Sequence, residues 1–552
     1  MKKITKNYYY FLFLISLLVS RELIFLFYDS TDSPDFSKYI VYFDYFFGNI
    51  ENTSREQGLL YYYLHAWGAN LNTDNFTTDL PSLFLHKSIQ QINFYIYIYG
   101  LLGYYLLLKE FNISKKNIFL SLTFLNFFPL TIALRMAFKP EVLAFALIPW
   151  IIFLLEKFKN TKNYYYLFFS IPYFVFIFST KGSVLIMAGV FLTLTYLNTI
   201  TKSKRQFIFI NLLILIFVFC CIQYEDTNSN GKNLFDISSG SGEEISTESL
   251  SYDYKAPVSF IYKVNMYELF TSPIKNNHKD SFISITLLDT FGDYFDLFWN
   301  NNSSAFSKGR SEIITLEQSN LIKMPKFNSE NNSLTVFVQN KSDLYLQSYI
   351  GLIISIIFYL FLYRSILLDK KFRKFYIAPL YGMSILLIHV ITGLPKNNFD
   401  PSKGDSLKPF YYSFLICLSF IFLISRILEK RTMLSLLIFP YIIVILFLLG
   451  FPKNIDPERE GILLKSKESV FCEVNKQFLF NEEFKYSCTK DLDKYTPIED
   501  SQYKSYTNKP KNKVVNISVM VFLFASNMFI LYKDNYLKRD FLSLPSKAKE
   551  NK

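Results

Sequence analysis

Three carboxylates follow the first apolar run closely enough to work together. The run from about Tyr8 to Tyr28 is long enough to cross a bilayer, and it opens at once into Asp29-Ser30-Thr31-Asp32-Ser33-Pro34-Asp35-Phe36-Ser37-Lys38-Tyr39. A carboxylate at a membrane surface can take the proton from a hydroxyl as that hydroxyl attacks a carbon centre. Asp32 and Ser33 are suited to capping the amphipathic helix expected to begin near Phe36. Asp35 is therefore the candidate base, and nearby cations would stabilise a departing phosphate.

Those cations are present, on the side of the membrane where they are least expected. Arg135-Met136-Ala137-Phe138-Lys139-Pro140-Glu141 and Ser179-Thr180-Lys181-Gly182-Ser183 each form a tight turn between apolar runs, and Lys408 lies in a later turn. One such cation would be unremarkable. Arg135, Lys139, Lys181 and Lys408 together point to a phosphate-binding rim, because Arg and Lys hold phosphate oxygens strongly in a partly dry site. Glu141 stands beside them. Arg21 and Glu22 lie inside the first apolar run, and charges there are costly enough to have a purpose. Neighbours on a helix point in different directions, which argues against simple mutual pairing; the plain alternative is a neutralised or snorkelling pair.

A third group is Leu288-Asp289-Thr290-Phe291-Gly292-Asp293-Tyr294-Phe295-Asp296-Leu297-Phe298-Trp299. Asp289 and Asp293 among aromatic rings suit sugar binding. An aromatic anchor at the membrane interface, which Trp299 fits well, is the equal alternative.

These residues must be held by a membrane body. The chain has 552 residues, 51% of them hydrophobic, with 60 Phe and 41 Tyr. That aromatic mass suits membrane helices and their interfacial belts. Twelve spans are expected near 8–28, 89–108, 118–135, 141–156, 164–180, 183–200, 207–223, 346–364, 376–393, 409–426, 433–451 and 513–532. The clusters Lys109 to Lys116, Glu156 to Lys162, Lys202 to Arg205, Arg364 to Lys374, Arg426 to Arg431 and the tail from Lys533 fall on alternate connections. Under the positive-inside rule both termini are then cytoplasmic, and the carboxylates and rim cations face outward. The first run is read as an uncleaved span, because no small-residue cleavage site follows it.

The fold class expected is an all-α polytopic membrane protein with amphipathic helices in the first outer loop and small periplasmic loop regions. Residues 1–223 form a catalytic membrane module containing the outer loop 29–88. Residues 224–345 are a large outer segment, with a mobile Ser/Gly/Glu-rich start and room for a small fold. Residues 346–451 are further membrane helices, 452–512 a third outer segment, and 513–552 the last helix and tail. Cys472 and Cys488 share that third segment and would pair as a disulfide if it faces an oxidising compartment. Cys220, Cys221 and Cys417 lie in apolar runs and read as packing residues.

The net charge of +12 is spread over short inner clusters, which argues against a nucleic-acid partner. The four His residues (65, 86, 278 and 389) show no zinc-site spacing. No cofactor is certain and no metal ligand set is evident, although a carboxylate group can hold a divalent cation such as Mg²⁺ or Mn²⁺. The Lys, Asn and Ile bias suggests an AT-rich bacterial genome, hence a bacterial cytoplasmic membrane.

In order and topology, these segments resemble the GT-C superfamily of integral-membrane glycosyltransferases. The family pattern after the first span reads approximately as Pro-Asp/Glu, a short gap, Arg-Tyr, and a helix ending in Gly. This chain has Pro34-Asp35-Phe36-Ser37-Lys38-Tyr39 and Gly48. Lys38 replaces the commoner Arg, and Phe36 stands where a second acid often occurs. The Lys139-Pro140-Glu141 and Thr180-Lys181-Gly182 turns also look like family segments, as does the Gly-Asp-Tyr core of residues 292–294. The resemblance covers about residues 8–200 and is patchy beyond.

The resemblance implies transfer of a hexosyl or pentosyl group, with inversion, from a polyprenyl phosphate or diphosphate carrier. The acceptor would be a glycan, lipid or protein at the outer face, the prenyl tail would need a groove between spans, and membrane lipids would be further partners. It implies Asp35 as base with Asp32 in reserve, Arg135, Lys139 and Lys181 on the carrier phosphate, and Glu141 orienting substrate or cations. Asp32, Lys38, Tyr39, Asp289, Asp293 and Lys408 join the substrate-binding set. Two alternatives stand beside it. An O-antigen-type polymerase or ligase would place its key Arg in a large late loop, where essentially Arg310 is present. A lipid-linked-sugar transporter would carry mid-membrane polar residues and paired broken helices, and neither is clear.

Overall fold

The computed structural model describes residues 8–27, 42, 59–72, 81–201, 257–271, 273, 278, 280–291, 314–316, 321–328, 333–392, 409–429 and 453–454. Asp32, Asp35, Lys38, Tyr39, Asp293, Arg310, Lys408, Cys472 and Cys488 lie outside them, as do the expected spans 207–223, 433–451 and 513–532.

Long helices make up most of the described chain. They are α1 (Tyr8–Phe27), α2 (Leu59–Asn72), α3 (Pro81–Glu110), α4 (Lys115–Asn126), α5 (Pro129–Met136), α6 (Glu141–Thr161), α7 (Tyr164–Thr180) and α8 (Gly182–Thr201). After them come α9 (Ser259–Tyr262), α10 (Met266–Thr271), α11 (Phe282–Phe291), α12 (Lys341–Leu368), α13 (Arg373–Tyr376) and α14 (Ala378–Thr392). A 3-10 turn at Pro409–Tyr412 leads into α15 (Ser413–Glu429). Among the described residues, Tyr8–Phe25, Ser348–Leu368 and Pro409–Glu429 are long and apolar enough to cross a membrane. The pair α4 and α5 makes a fourth if it is taken as one broken span.

The other helices at expected span positions fall short for identifiable reasons. Helix α6 has 21 residues but carries Glu141, Glu156 and Lys157. Helices α7 and α14 have 17 and 15 residues. Helix α3 runs 30 residues, well beyond the expected 89–108, and is rich in Tyr.

The expected span 118–135 is broken. Helices α4 and α5 meet at a 60° bend. Pro129 opens α5, where its missing N–H costs nothing. The Arg135 side chain fills the break, with Nε on the Thr131 carbonyl at 3.1 Å, one terminal nitrogen on Ser20 Oγ at 2.8 Å and the other on the Asn126 carbonyl. Its guanidinium also lies over the Tyr97 ring, 4.6 Å from the centroid.

Helices α3 and α6 form the central pair, and small residues let them approach. A methyl group added at Gly100 would sit 2.9 Å from Ala146 Cα, and one at Gly103 would sit 2.8 Å from the Trp150 ring. The Trp150 Nε1 donates to the Tyr99 carbonyl at 3.0 Å, and Tyr97 stacks on Phe145. Helix α15 closes the core through stacked pairs Phe128–Phe420 and Phe375–Phe422, and its Cys417 is buried in that packing.

Charge pairs tie the first helical module to the later helices. Glu156 on α6 is buried and accepts from Lys374 and, at 2.8 Å, from the Tyr196 hydroxyl. Desolvation lowers the Lys374 ammonium from its ordinary range despite this carboxylate. Arg426 pairs with Asp369 at 3.0 Å. The four charged residues among them come from segments expected on the inner side.

A small antiparallel sheet joins residues 314–340 to residues 453–454, an addition to the helical body. Strands β1 (Ile314–Leu316), β2 (Leu321–Asn328), β3 (Ser333–Asn340) and β4 (Lys453–Asn454) pair in that order. Phe337 faces Asn454 in register, so the start of the third outer segment meets the end of the second. The pairing joins the segment before α12 to the segment that begins at residue 453.

Candidate functional site

The turn between α5 and α6 is built by side chains that hold its backbone. Asn93, buried on α3, donates from Nδ2 to the carbonyls of Ala137 at 2.9 Å and Arg135 at 3.3 Å. Its Oδ1 faces the Tyr61 hydroxyl and His65 Nε2, both at 3.0 Å and both on α2. Phe138 packs against the rings of Tyr61, Tyr62 and His65. The Tyr62 ring in turn stacks flat on Tyr42, with centroids 4.1 Å apart. Tyr42 and helix α2 are thereby docked onto the turn.

His65 Nδ1 lies 2.8 Å from the Tyr61 carbonyl, so the imidazole faces an acceptor on each nitrogen. Burial outweighs both acceptors and pushes the group down to about 4.

This scaffold presents Lys139 and Glu141 at the start of α6. Glu141 is fully buried, in the first helical turn, where backbone N–H groups favour a carboxylate. Lys181, in the turn between α7 and α8, places Nζ 2.8 Å from Glu141 Oε1. The Pro409–Tyr412 turn covers the pair. Lys181 lies over the Tyr411 ring at 5.0 Å, while Lys139 is 6.0 Å from that ring and 5.6 Å from the Phe410 ring. Lys139 is buried; Lys181 and Tyr411 remain partly exposed, which leaves an approach to the cluster. Residues read from two separate sequence motifs thus meet at one place. Lys408, directly before the covering turn, lies outside the described residues.

Asp289 is near Tyr412 of the same turn. It is buried on α11, within electrostatic reach of Tyr412. Arg135 is placed differently from the rim expected of it: its side chain fills the α4–α5 break, and its carbonyl accepts from Asn93. Arg21 also differs from expectation, pairing with its neighbour Glu22 and donating to Gln91 Oε1 at 2.8 Å. The long guanidinium arm and partial exposure allow a pairing that backbone direction alone disfavours.

Sequence reasoning passed over Asn93, His65, Tyr411 and Lys87. Lys87 donates to the Phe25 carbonyl near the end of α1, satisfying a helix-terminal acceptor, and shares the Phe25 ring with Arg21. Among the described residues no group of three His, Cys, Asp or Glu side chains is arranged to hold a metal ion. No protein-family model matches the sequence, and no curated protein matches it.

Proposed function

We propose that this chain is a membrane glycosyltransferase that moves a sugar from a polyprenyl-phosphate carrier to an acceptor at the extracytoplasmic face, with Asp35 as base. The observation that carries this reading is the meeting of Lys139, Glu141 and Lys181 against Tyr411. Two ammonium groups, a carboxylate and an aromatic face form a set able to hold a phosphate ester joined to a sugar.

The docking of the first outer segment supports a role for Asp35. Asp35 is seven chain steps before Tyr42, a stretch that spans at most about 25 Å even when extended, so its backbone is tethered to the Tyr42–Tyr62 stack. In this mechanism Asp35 takes the acceptor's hydroxyl proton as the oxygen attacks the anomeric carbon. Lys139 and Lys181 stabilise the charge that gathers on the departing phosphate. Arg135 supports the turn from inside and does not touch the carrier.

Mass spectrometry of surface glycans and glycolipids from cells lacking the protein tests the reading. A glycan shortened by one sugar, or a glycolipid without its sugar, is expected. An unchanged profile under conditions where the protein is normally made rules the reading out.

A further inference from the structure

Glu141 uses only half of its carboxylate among the described residues. Oε1 accepts from Lys181, while Oε2 is buried and has no hydrogen-bond partner. Leaving a buried acceptor unsatisfied costs about 1–3 kcal/mol, and more for a charged group. This carboxylate is fully buried, while Lys181, which it holds, and Tyr411, whose ring Lys181 lies over, are partly exposed.

We propose that Glu141 Oε2 is the acceptor of a hydroxyl-binding subsite, which selects a polyhydroxylated phosphate ester over a plain phosphate ester. The ligand's phosphate lies on Lys181 and Lys139, its carbon frame rests against Tyr411, and one hydroxyl donates to Oε2. This rests on the transferase reading and deepens it: the subsite recognises the saccharide while the lysines recognise the phosphate. An isolated lysine rim would bind any phosphate ester alike. A buried carboxylate oxygen discriminates, because an ester without the hydroxyl leaves that oxygen desolvated and unpaired.

Titration of the purified full-length chain in detergent with glycerol 3-phosphate and with propyl phosphate tests the subsite. The two probes have equal chain length and differ in their hydroxyls. The wild-type protein binds glycerol 3-phosphate about tenfold more tightly, the worth of one hydrogen bond of this kind. In E141M the preference disappears and propyl phosphate binds at least as well as before, because a negative charge has left the lysines. Equal affinities in the wild type, no measurable binding of either ester, or a preference that survives in E141M overturns the subsite. The wild-type comparison stands alone if E141M does not fold. Equal binding of the two esters would leave the transferase reading intact, whereas an unchanged glycan profile in cells lacking the protein would remove that reading whatever the esters do.

Discussion

The Asn93 side chain donates to the Ala137 carbonyl at 2.9 Å, so a residue in the body of α3 fixes the turn that carries Lys139 and Glu141. The same amide reaches α2 through Tyr61 and His65. A single buried group therefore links the first outer segment to the cation cluster. Replacing Asn93 with Leu strips partners from buried polar groups and is expected to cost about 2–3 kcal/mol. Thermal unfolding of the detergent-solubilised variant reads this as a lowered midpoint, and an unchanged midpoint would count against the linkage.

The ion pair between Lys181 and Glu141 spans 40 residues of sequence. Lys181→Met leaves a buried carboxylate without its cation, and a loss of about 3–5 kcal/mol is expected. Adding Glu141→Gln to the same chain should recover most of that loss. Unfolding of the two single variants and the double variant measures the coupling, and additive effects would show that the pair is not the partner each residue depends on.

Close packing of α3 on α6 makes its own prediction. At Gly100 an added methyl meets Ala146 Cα, which belongs to a packed helix backbone and cannot swing aside. Gly100→Ala is expected to cost about 1–3 kcal/mol through overpacking. At Gly68 the obstacle is the tip of the Ile92 side chain, so Gly68→Ala should cost less. Melting curves of the two variants decide the order.

The parts legible from sequence were those where charge conflicts with surroundings. Lys139 and Lys181 stood out because cations in turns expected outside conflict with the charge rule, Glu141 stood beside Lys139 in the same motif, and the structure places Lys181 on Glu141 and both lysines near the Tyr411 ring. Arg135 gave the same signal for another cause. Charge in a turn does not tell which way a side chain points, and this one satisfies the carbonyls of a broken helix. That break was invisible to hydropathy because residues 118–135 are apolar on average despite Asn126, Thr131 and Arg135; Pro129 was its clearest mark. Asn93 and Tyr411 gave no signal, since Asn and Tyr are common in this chain and their roles depend on contacts distant in sequence.

Acid should loosen the outer helix α2. His65 is pushed down to about 4 by burial, below the unfolded value of 6.5. Its contribution is therefore fully present above about pH 6.5 and is lost as pH falls through about 4. Over that window the stabilisation lost is about 3 kcal/mol. In a His65→Gln variant the pH dependence between 6.5 and 4 should flatten. Limited proteolysis of α2 across this range follows the effect, and identical curves for both proteins would refute it.

The most direct test of the central claim is complementation of cells lacking this protein by the Asp35→Asn variant, made at wild-type level and read by mass spectrometry of surface glycans and glycolipids. Wild-type protein should restore the sugar-bearing species, while Asp35→Asn should leave it absent because the acceptor hydroxyl keeps its proton. Full restoration by Asp35→Asn would contradict a carboxylate base at that position and, with it, the transferase mechanism set out above.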